Sequence, residues 1–187
     1  MQFRISGTTT WEQKTIAIPA GAHTVRFAYR KDSSDSRGAD AGWVDQVEIR
    51  QAQPPPSLGD ALDNNDLRWA ATGDRPWFAQ TGTTHDGTDG AQSGPIADNQ
   101  RSQLEATILG PANLSFWWKV DSEQNYDFLS FELDNAAVAT LAPISGTVNW
   151  EQKTVAIPAG THTIRWVYTK DSSAASGADA GYVDQVV

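Results

Sequence analysis

The feature that most constrains this chain is an internal duplication of 43 residues. Residues 5–47 and residues 144–186 align without a gap at a constant offset of 139. Twelve of the 43 aligned positions differ, which leaves 31 identical, and some differences are conservative, such as Ile16 against Val155. An offset of 139 is too long for a solenoid unit and matches the size of a whole domain. The sequence therefore predicts a tandem repeat of domain-sized units.

The offset also predicts how the chain is divided. We expect residues 58–187 to form one nearly complete repeat and residues 1–50 to be the C-terminal part of a preceding, truncated repeat. Residues 51–57 contain three consecutive prolines, which favour a stiff, extended linker. Because a 50-residue part of a domain buries little surface, we expect it to pack on residues 58–187, to pair with another chain, or to fray.

Short runs of aromatic, β-branched and alternating residues indicate strands, and turns rich in Gly and Pro separate them. The clearest runs are Leu114–Val120, Phe128–Leu133, Trp150–Ile157, His162–Lys170 and Gly181–Val187, with shorter ones at Leu67–Ala71, Trp77–Thr81 and Gln103–Ile108. No segment has a sustained apolar period of 3.6 residues. We predict an all-β fold, a two-sheet antiparallel β-sandwich of the jelly-roll type. An immunoglobulin-like sandwich is the alternative, although it usually needs only about 100 residues.

One predicted strand face occurs in both copies of the duplication. In the second copy it consists of Ile164, Trp166 and Tyr168, and in the first copy of residues 25, 27 and 29. Alternation places the three side chains of each set on one side of a strand. We expect this side to face the core in the second copy and to lack its usual cover in the incomplete first copy.

Composition limits the class of partner. The formal net charge is −9, and the acidic balance argues against nucleic acid and against anionic lipid surfaces. Neutral glycans, cations and basic partners remain compatible with it. No apolar run approaches the ~18 residues of a membrane span, so we expect no membrane insertion. The absence of Cys excludes disulfides and Cys-based zinc sites.

Catalytic motifs are absent from the sequence. The three histidines are His23, His85 and His162, and the first and last occupy the same repeat position. There is no GxSxG and no HExxH motif. A glycosidase pair of carboxylates would be drawn from many Asp and Glu residues, and nothing singles out two of them. We therefore expect no enzyme, and a glycan-active enzyme is the weaker alternative.

Strand alternation suggests a surface that could hold a sugar. If the strands pair suitably, Trp117, Glu132, Trp150, Gln152 and Arg165 would share one outer sheet face. Sugars are held by aromatic faces together with polar side chains. The alternative is that these aromatic residues complete the core or cover a sheet face beneath loops.

The sequence resembles an accessory module of large secreted bacterial proteins. The segments that carry the resemblance are LSFWWKVDSEQNYDFLSFELDN, ISGTVNWEQKTVAIPAGTHTIRWVYTKD and GADAGYVDQV, together with the upstream LGDALDNNDLRWAATGDRPWFAQTGTTHDGTDGAQSG. Such modules are often appended to subtilisin-like proteases or polysaccharide-active enzymes. The resemblance implies a lectin-like or MAM-like jelly roll that lies outside the cell or on its surface.

Structural calcium is the one cofactor that the sequence suggests. The segment at Asp184, and its copy at Asp45, resemble the last strand of jelly-roll modules, in which that Asp ligates calcium. Asp86 and Asp89 lie in an acidic loop that offers further oxygen ligands. The alternatives are a salt bridge from Asp184 to a basic residue, and an ordinary polar turn for the loop.

Together these observations predict a non-catalytic extracellular accessory or adhesive repeat module that contacts surface glycans or protein partners. A purely structural spacer, or a self-assembling repeat of a surface protein or filament, is the alternative. The incomplete first repeat also suggests a homo-oligomer, because unpaired sheet edges and uncovered apolar faces invite pairing between chains.

Overall fold

The computed structural model describes residues 3–19, 21–34, 36–50 and 55–187. The chain divides into two compact units, Met1–Ala52 and Gln53–Val187. Part of the predicted linker, residues 51–54, lies outside the described residues.

The second unit is built almost entirely of antiparallel strands. Its elements are α1 (Leu58–Ala61), β1 (Trp69–Gly73), β2 (Phe78–Gln80), β3 (Gly90–Gln92), β4 (Arg101–Asp121), β5 (Phe128–Leu133), β6 (Ala136–Ala137), β7 (Thr147–Thr169) and β8 (Ala180–Asp184). The strands form one hydrogen-bonded sheet in the order β2-β3-β8-β4-β7-β5-β6, and β1 pairs with β4 outside this path.

The two longest strands, β4 and β7, pair along most of their length and bend together in the middle. The register of the pair shifts between Gly110 and Ala112. A Cβ atom at Gly110 would collide with the carbonyl oxygen of Pro158, so only glycine allows the two backbones to approach so closely. Gly160, with φ of 120°, lies at the same bend in the facing strand. The bend separates each long strand into two halves.

The two halves of the bent sheet face each other as the layers of a sandwich. The β5 layer contains β1, β5, β6, residues 101–110 and residues 160–169. The β8 layer contains β2, β3, β8, residues 112–121 and residues 147–157. Between them, the ring centroid of Phe116 lies 5.0 Å from that of Trp166 and 5.2 Å from that of Phe131. The predicted all-β, antiparallel sandwich of the jelly-roll type is confirmed.

Alternation along the strands determines which side chains enter the core. Every second residue of β4 from Leu114 to Val120 is buried, whereas Trp117 between them is only partly buried. In β7, Trp166 and Tyr168 are completely buried. Each large apolar side chain that leaves water contributes about 1.5–3 kcal/mol, so the pattern of burial fixes the inward face of each strand.

Pairs of runs that the sequence predicts as individual strands belong to the same long strand, and a bend in that strand lies between them. Gln103–Ile108 and Leu114–Val120 both lie in β4, and Trp150–Ile157 and most of His162–Lys170 lie in β7. The Gly and Pro residues between these runs change the direction of the chain, but pairing between the two strands resumes on both sides of them. The runs are therefore halves of two long strands.

A short helix that the sequence analysis did not predict begins the second unit. The Ser57 side chain accepts a hydrogen bond from the Asp60 backbone N–H, and the Asp60 carboxylate accepts one from the Ser57 N–H. Leu62 follows the helix, is completely buried, and accepts a hydrogen bond at its carbonyl oxygen from the Val186 N–H at 2.9 Å. The segment that follows β8 is thereby tied to the beginning of the unit. In the described part of the chain, no helix has the length and apolar character that crossing a membrane requires.

The described residues of the first unit form no helix or strand and are nearly all exposed. Val25, Phe27 and Tyr29, whose apolar face the sequence analysis expects to lack its usual cover, are 49%, 59% and 53% exposed. The copies of these residues in β7 are buried because β7 pairs with β4 and β5. Residues 3–50 contain no copy of β4 or β5, so the first unit has no such partners of its own.

The first unit nevertheless adopts the backbone of the second copy at several positions. Five residues have positive φ and recur at the offset of 139 with φ values within 4° of each other. They are Gly7 and Gly146 (73° and 77°), Gly21 and Gly160 (117° and 120°), Gly38 and Gly177 (67° and 66°), Asp40 and Asp179 (54° and 54°), and Gln46 and Gln185 (50° and 49°).

One group of polar contacts also recurs. In the first unit, the Tyr29 hydroxyl donates to Asp40 at 2.6 Å, and Lys31 contacts the same carboxylate. In the second unit, the Tyr168 hydroxyl donates to Asp179 at 2.9 Å, and Lys170 contacts that carboxylate. The two segments therefore share local geometry as well as sequence.

Candidate functional site

The outer face of the β8 layer carries the aromatic residues that the sequence analysis placed on a sugar-binding surface. Trp117 in β4 and Gln152 in β7 are directly paired across the two strands, so their side chains lie on the same face. Trp150 lies two residues before Gln152. The indole rings of Trp117 and Trp150 are both partly exposed.

The loop between β2 and β3 adds a third ring to this face. The His85 imidazole is stacked on the Trp117 indole, with ring centroids 3.7 Å apart and planes 15° apart. The Trp150 ring lies edge-on to His85 at 5.9 Å. His85 Nδ1 lies 2.7 Å from Gln185 Oε1, and this hydrogen bond holds the imidazole in place. The three rings form a corner at which flat apolar surface meets polar groups.

A cleft of about 440 Å³ opens beside the stacked rings, within the range typical of ligand sites. We call it the Trp117 cleft. Its lining combines carboxylates, amides, a hydroxyl and one indole, contributed by Asp63, Asp86, Ser115, Trp117, Gln152, Gln185 and Val187. Such a lining offers both hydrogen-bond donors and acceptors next to an aromatic surface.

Asp184 lies in β8, next to this face, and is only 1% exposed. Its Oδ2 accepts hydrogen bonds from the backbone N–H groups of His85 at 2.6 Å and Asp86 at 3.4 Å, which holds the loop over β8. Its Oδ1 is also buried and has no hydrogen-bond partner among the described residues. Burial raises the pKa of Asp184, although the two backbone N–H groups act in the opposite direction.

Carboxylates cluster around the cleft and repel one another, which disfavours their ionised forms. Burial raises the pKa of Asp63, and the charge of Asp86 raises it further. Burial likewise raises the pKa of Asp89, and the charges of Asp86, Asp63 and Asp60 add to that effect. This side of the unit is therefore electronegative, which disfavours an anionic ligand and favours a neutral or cationic one.

The predicted calcium ligands are only partly brought together. Asp184, Asp86 and Asp89 lie near one another around the loop between β2 and β3. Among their oxygen atoms, Oδ1 of Asp184 is buried without a hydrogen bond, which is energetically unfavourable unless a ligand binds it. Asp45 lies in the first unit, where its Oδ1 accepts from the Gln46 N–H at 2.8 Å. Calcium needs six to eight oxygen ligands, so the residues fit an ion at Asp184 only in part.

A tighter group of carboxylates lies elsewhere. Among the described residues, Glu123, Asp127 and Asp171 place one ligand atom each within 4.8 Å of one another. Asp127 is already bound by Lys170 Nζ at 3.3 Å and by the Asp171 N–H at 3.0 Å. The Lys170 ammonium supplies positive charge beside Asp127. The Glu123 Oε2 atom, in contrast, is buried and has no hydrogen-bond partner among the described residues.

The other two predicted binding residues lie on the outer face of the β5 layer. Arg165 donates through Nε and Nη2 to Glu105 Oε2 at 2.8 and 2.7 Å, and through Nη1 to Glu132 Oε2 at 3.4 Å. Its Nη1 also contacts Asn135. These residues line a second cavity of about 580 Å³, whose ten lining residues include no aromatic side chain.

The five predicted glycan-binding residues thus form two groups rather than one face. Trp117, Trp150 and Gln152 lie on the β8 layer, and Glu132 and Arg165 lie on the β5 layer. The bend at Gly110 and Gly160 produces this separation, because it sends the two halves of β4 and β7 to opposite sides of the sandwich. A straight ladder would have kept all five residues on one sheet.

Sequence reasoning missed five residues in or beside the Trp117 cleft. His85 was considered among the histidines but not as a binding residue. The other four, which were not singled out, are Asp63, Ser115, Gln185 and Val187. A polar loop rich in Gly and Asp gives no indication of which strand it will cover. The contact that decides this joins Asp184 to the His85 backbone across 99 residues of sequence.

Comparisons with known proteins support the fold. No protein-family model matches the sequence, and no curated protein matches it. Among solved structures, the secreted serine protease VesC from Vibrio cholerae matches with a TM-score of 0.53 and 14% identity, over 72% of this chain and 27% of the protease chain. This chain therefore spans about a quarter of the length of that protease.

Two further solved structures match with lower scores. TmCBM61 in complex with β-1,4-galactotriose has a TM-score of 0.44 at 12% identity, over 74% of this chain and 97% of that chain. The K3 cleaved adhesin domain of Lys-gingipain from Porphyromonas gingivalis w83 has a TM-score of 0.44 at 16% identity, over 63% of this chain and 88% of that chain. Of the three, the protease exceeds a TM-score of 0.5, and at 14% identity it shows the fold alone.

Proposed function

We propose that the Gln53–Val187 unit is a non-catalytic extracellular accessory or adhesive module that holds a neutral glycan in the Trp117 cleft. The observation that carries the proposal is the stacked pair of Trp117 and His85 beside a cleft lined by amides and carboxylates. The extracellular location rests on the resemblance of the sequence to accessory modules of secreted bacterial proteins.

The rings supply the apolar part of sugar recognition. His85 covers one face of the Trp117 indole, so this face is closed to a ligand. A sugar ring would contact the parts of the His85, Trp117 and Trp150 rings that remain exposed to solvent. Contact between an apolar sugar face and an aromatic ring excludes water and restricts the orientation of the sugar. Because His85 is held by Gln185, the corner is ordered before the ligand arrives.

The cleft walls supply the polar part. Amides such as Gln152 and Gln185 can both donate to and accept from hydroxyl groups, whereas carboxylates such as Asp63 and Asp86 only accept. Sugar hydroxyls can satisfy both kinds of group. The mutual repulsion of the carboxylates makes a sulfated or uronic-acid glycan a poor ligand, since it would bring further negative charge.

Calcium is proposed as a structural ion at Asp184. A cation would satisfy the buried Oδ1 and would offset the repulsion that Asp86 exerts on Asp184 and on Asp89. When bound, the ion would supply positive charge that holds the His85 loop against β8. It would therefore support the cleft indirectly, through the position of His85.

A structural spacer is the second candidate function. The duplication at domain length and the proline-rich segment of residues 51–57 favour it, because both are typical of domains arranged in series. A spacer needs no ligand, so the two functions differ in whether the Trp117 cleft binds anything.

A glycan array that contains neutral, amino, uronic-acid and sulfated glycans separates the two candidates. The array is probed with the whole chain, once with calcium and once with a chelator. The proposal expects retention on neutral glycans and little retention on their sulfated counterparts. Absence of retention on every glycan in both conditions would favour the spacer.

A further inference from the structure

We infer that residues 5–47, the first copy, can replace residues 144–186, the second copy, in another molecule of this protein. The protein would thereby exchange strands between molecules. This inference is independent of the glycan proposal, because it concerns which segment completes the sandwich and not what the cleft holds.

The second copy completes the sandwich of its own unit. It contributes β7, which pairs with β4 and β5, and β8, which pairs with β3 and β4. Its Trp166 ring packs against Phe116 at 5.0 Å, Phe131 at 5.1 Å and Trp69 at 5.9 Å. Removing this segment would expose the core and leave β4 and β5 without a central partner.

The first copy offers the same apolar face in an exposed state. Val25, Phe27 and Tyr29 stand at the positions of Ile164, Trp166 and Tyr168, and all three are about half exposed. The five recurring positive-φ positions and the recurring contact of Tyr29 with Asp40 show that the segment already has the local geometry of its buried copy. It therefore needs little rearrangement before it can pair.

The first copy also brings the charges that the site of β7 and β8 requires. Lys170 has a side chain that is 2% exposed and pairs with the completely buried Asp127, and the first copy has Lys31 at that position. Arg165, which pairs with Glu105 and Glu132, is matched by Arg26. A segment without the lysine would leave the buried Asp127 carboxylate unpaired, which is strongly unfavourable, and one without the arginine would leave the partly exposed Glu105 and Glu132 unpaired.

Within residues 1–187 two copies of this segment compete for one set of receiving strands, so in a solution of this 187-residue chain the first copy of one molecule can enter the strands of another. Covalent connection gives the second copy of each molecule an effective concentration on the order of millimolar. At micromolar protein the first copy of another molecule competes poorly, and exchange should rise when the second copy is weakened or the protein is concentrated.

Disulfide trapping between two variants tests the inference, since the chain has no cysteine of its own. Ser130 in β5 pairs with Val167 in β7, and Ala28 is the first-copy residue that corresponds to Val167. Chains carrying Ala28→Cys are mixed with chains carrying Ser130→Cys, brought to the midpoint of urea unfolding, and refolded under oxidising conditions. Mass spectrometry then quantifies the mixed disulfide between positions 28 and 130.

Thr24→Cys is the matched control. Thr24 corresponds to Thr163, which lies four residues from Val167 on the same side of β7, so the native register places it about 13 Å from Ser130. That separation is beyond the reach of a disulfide. A chain with both Ser130→Cys and Val167→Cys is the positive control for the register.

Exchange predicts that the 28–130 disulfide exceeds the 24–130 disulfide by about tenfold or more, because only the former fits the strand register. The excess should grow with protein concentration and when the Ser130→Cys chain also carries Trp166→Ala. Adding Phe27→Asp to the Ala28→Cys chain should abolish it. Equal yields of the two disulfides with the Ser130→Cys chain, at every concentration, would overturn the inference.

Discussion

Trp166 and Phe27 occupy the same position of the duplicated segment, yet Trp166 is completely buried and Phe27 is 59% exposed. Trp166 has Phe116, Phe131 and Trp69 around it, all contributed by strands that the first unit lacks. The burial of a strand face therefore depends on the partners of the strand as well as on its own sequence.

Truncation of these two residues should have very different effects on stability. Trp166→Ala should lower the free energy of unfolding by about 3–5 kcal/mol, because it removes an aromatic side chain from the centre of the core. Phe27→Ala should change it by less than about 0.5 kcal/mol, because this side chain lies largely in water. Urea unfolding at micromolar concentration, followed by tryptophan fluorescence, measures both, and equal losses would contradict the difference in burial.

Removing one partner of a buried ion pair in the second unit should lower the free energy of unfolding far more than removing one partner of an exposed pair. The Lys170 side chain is 2% exposed and lies 3.3 Å from the completely buried Asp127 carboxylate. Lys170→Met should destabilise the protein by about 3–5 kcal/mol, since it leaves a buried charge without its partner.

The exposed pair of Lys153 and Glu151, at 2.7 Å, provides the control. Glu151→Gln should cost less than about 1 kcal/mol, because water screens this pair. Urea unfolding of both variants gives the comparison. A loss for Lys170→Met no larger than that for Glu151→Gln would show that the interior pair is solvated in solution.

Calcium should stabilise the wild-type protein through Asp184. An ion that binds the folded state alone raises the midpoint of thermal unfolding, and the shift grows with the calcium concentration. Asp184→Asn keeps an oxygen that can accept from the His85 N–H but removes the charge that attracts the cation, so this variant should show no shift. Differential scanning calorimetry with calcium and with chelator measures these midpoints. An unchanged wild-type midpoint would show that calcium does not bind the folded protein at Asp184.

The same residue should affect the pH dependence of stability. Burial raises the pKa of Asp184 above its unfolded value of about 3.9. Between the unfolded-state pKa and the higher folded-state pKa of Asp184, the folded protein binds more protons than the unfolded chain. The free energy of unfolding therefore falls as the pH rises across this interval. With chelator present, the unfolding free energy of wild type minus that of Asp184→Asn should therefore increase as pH is lowered from 7 towards 4. A difference that stays constant over this range would show that Asp184 is not desolvated.

Strand faces could be predicted from the sequence because alternation is a local property. The alternation around Trp117 placed it outside the core, and that around Trp166 placed it inside, and the structure agrees on both. The bend could not be predicted, since the constraint on Gly110 comes from Pro158 in another strand. It is this bend that separates Arg165 from Trp117.

The residues that meet at the cleft could likewise not be predicted from local sequence patterns. His85 reaches Trp117 because its backbone is bound by the buried Asp184, and these two residues are 99 positions apart. The sequence suggested a role for Asp184 through its likeness to a calcium ligand. It gave no indication that the residue positions a ring against the predicted sugar surface.

The measurement that tests the central claim most directly is affinity electrophoresis through gels that contain neutral polysaccharides. Wild type is compared with Trp117→Ala and with Gln103→Ala, which changes the cavity of the β5 layer and leaves the Trp117 cleft intact. We predict retardation of wild type and of Gln103→Ala in at least one gel, and loss of retardation for Trp117→Ala under conditions in which circular dichroism shows that this variant is folded. Retardation of Trp117→Ala equal to that of wild type would contradict glycan binding in the cleft.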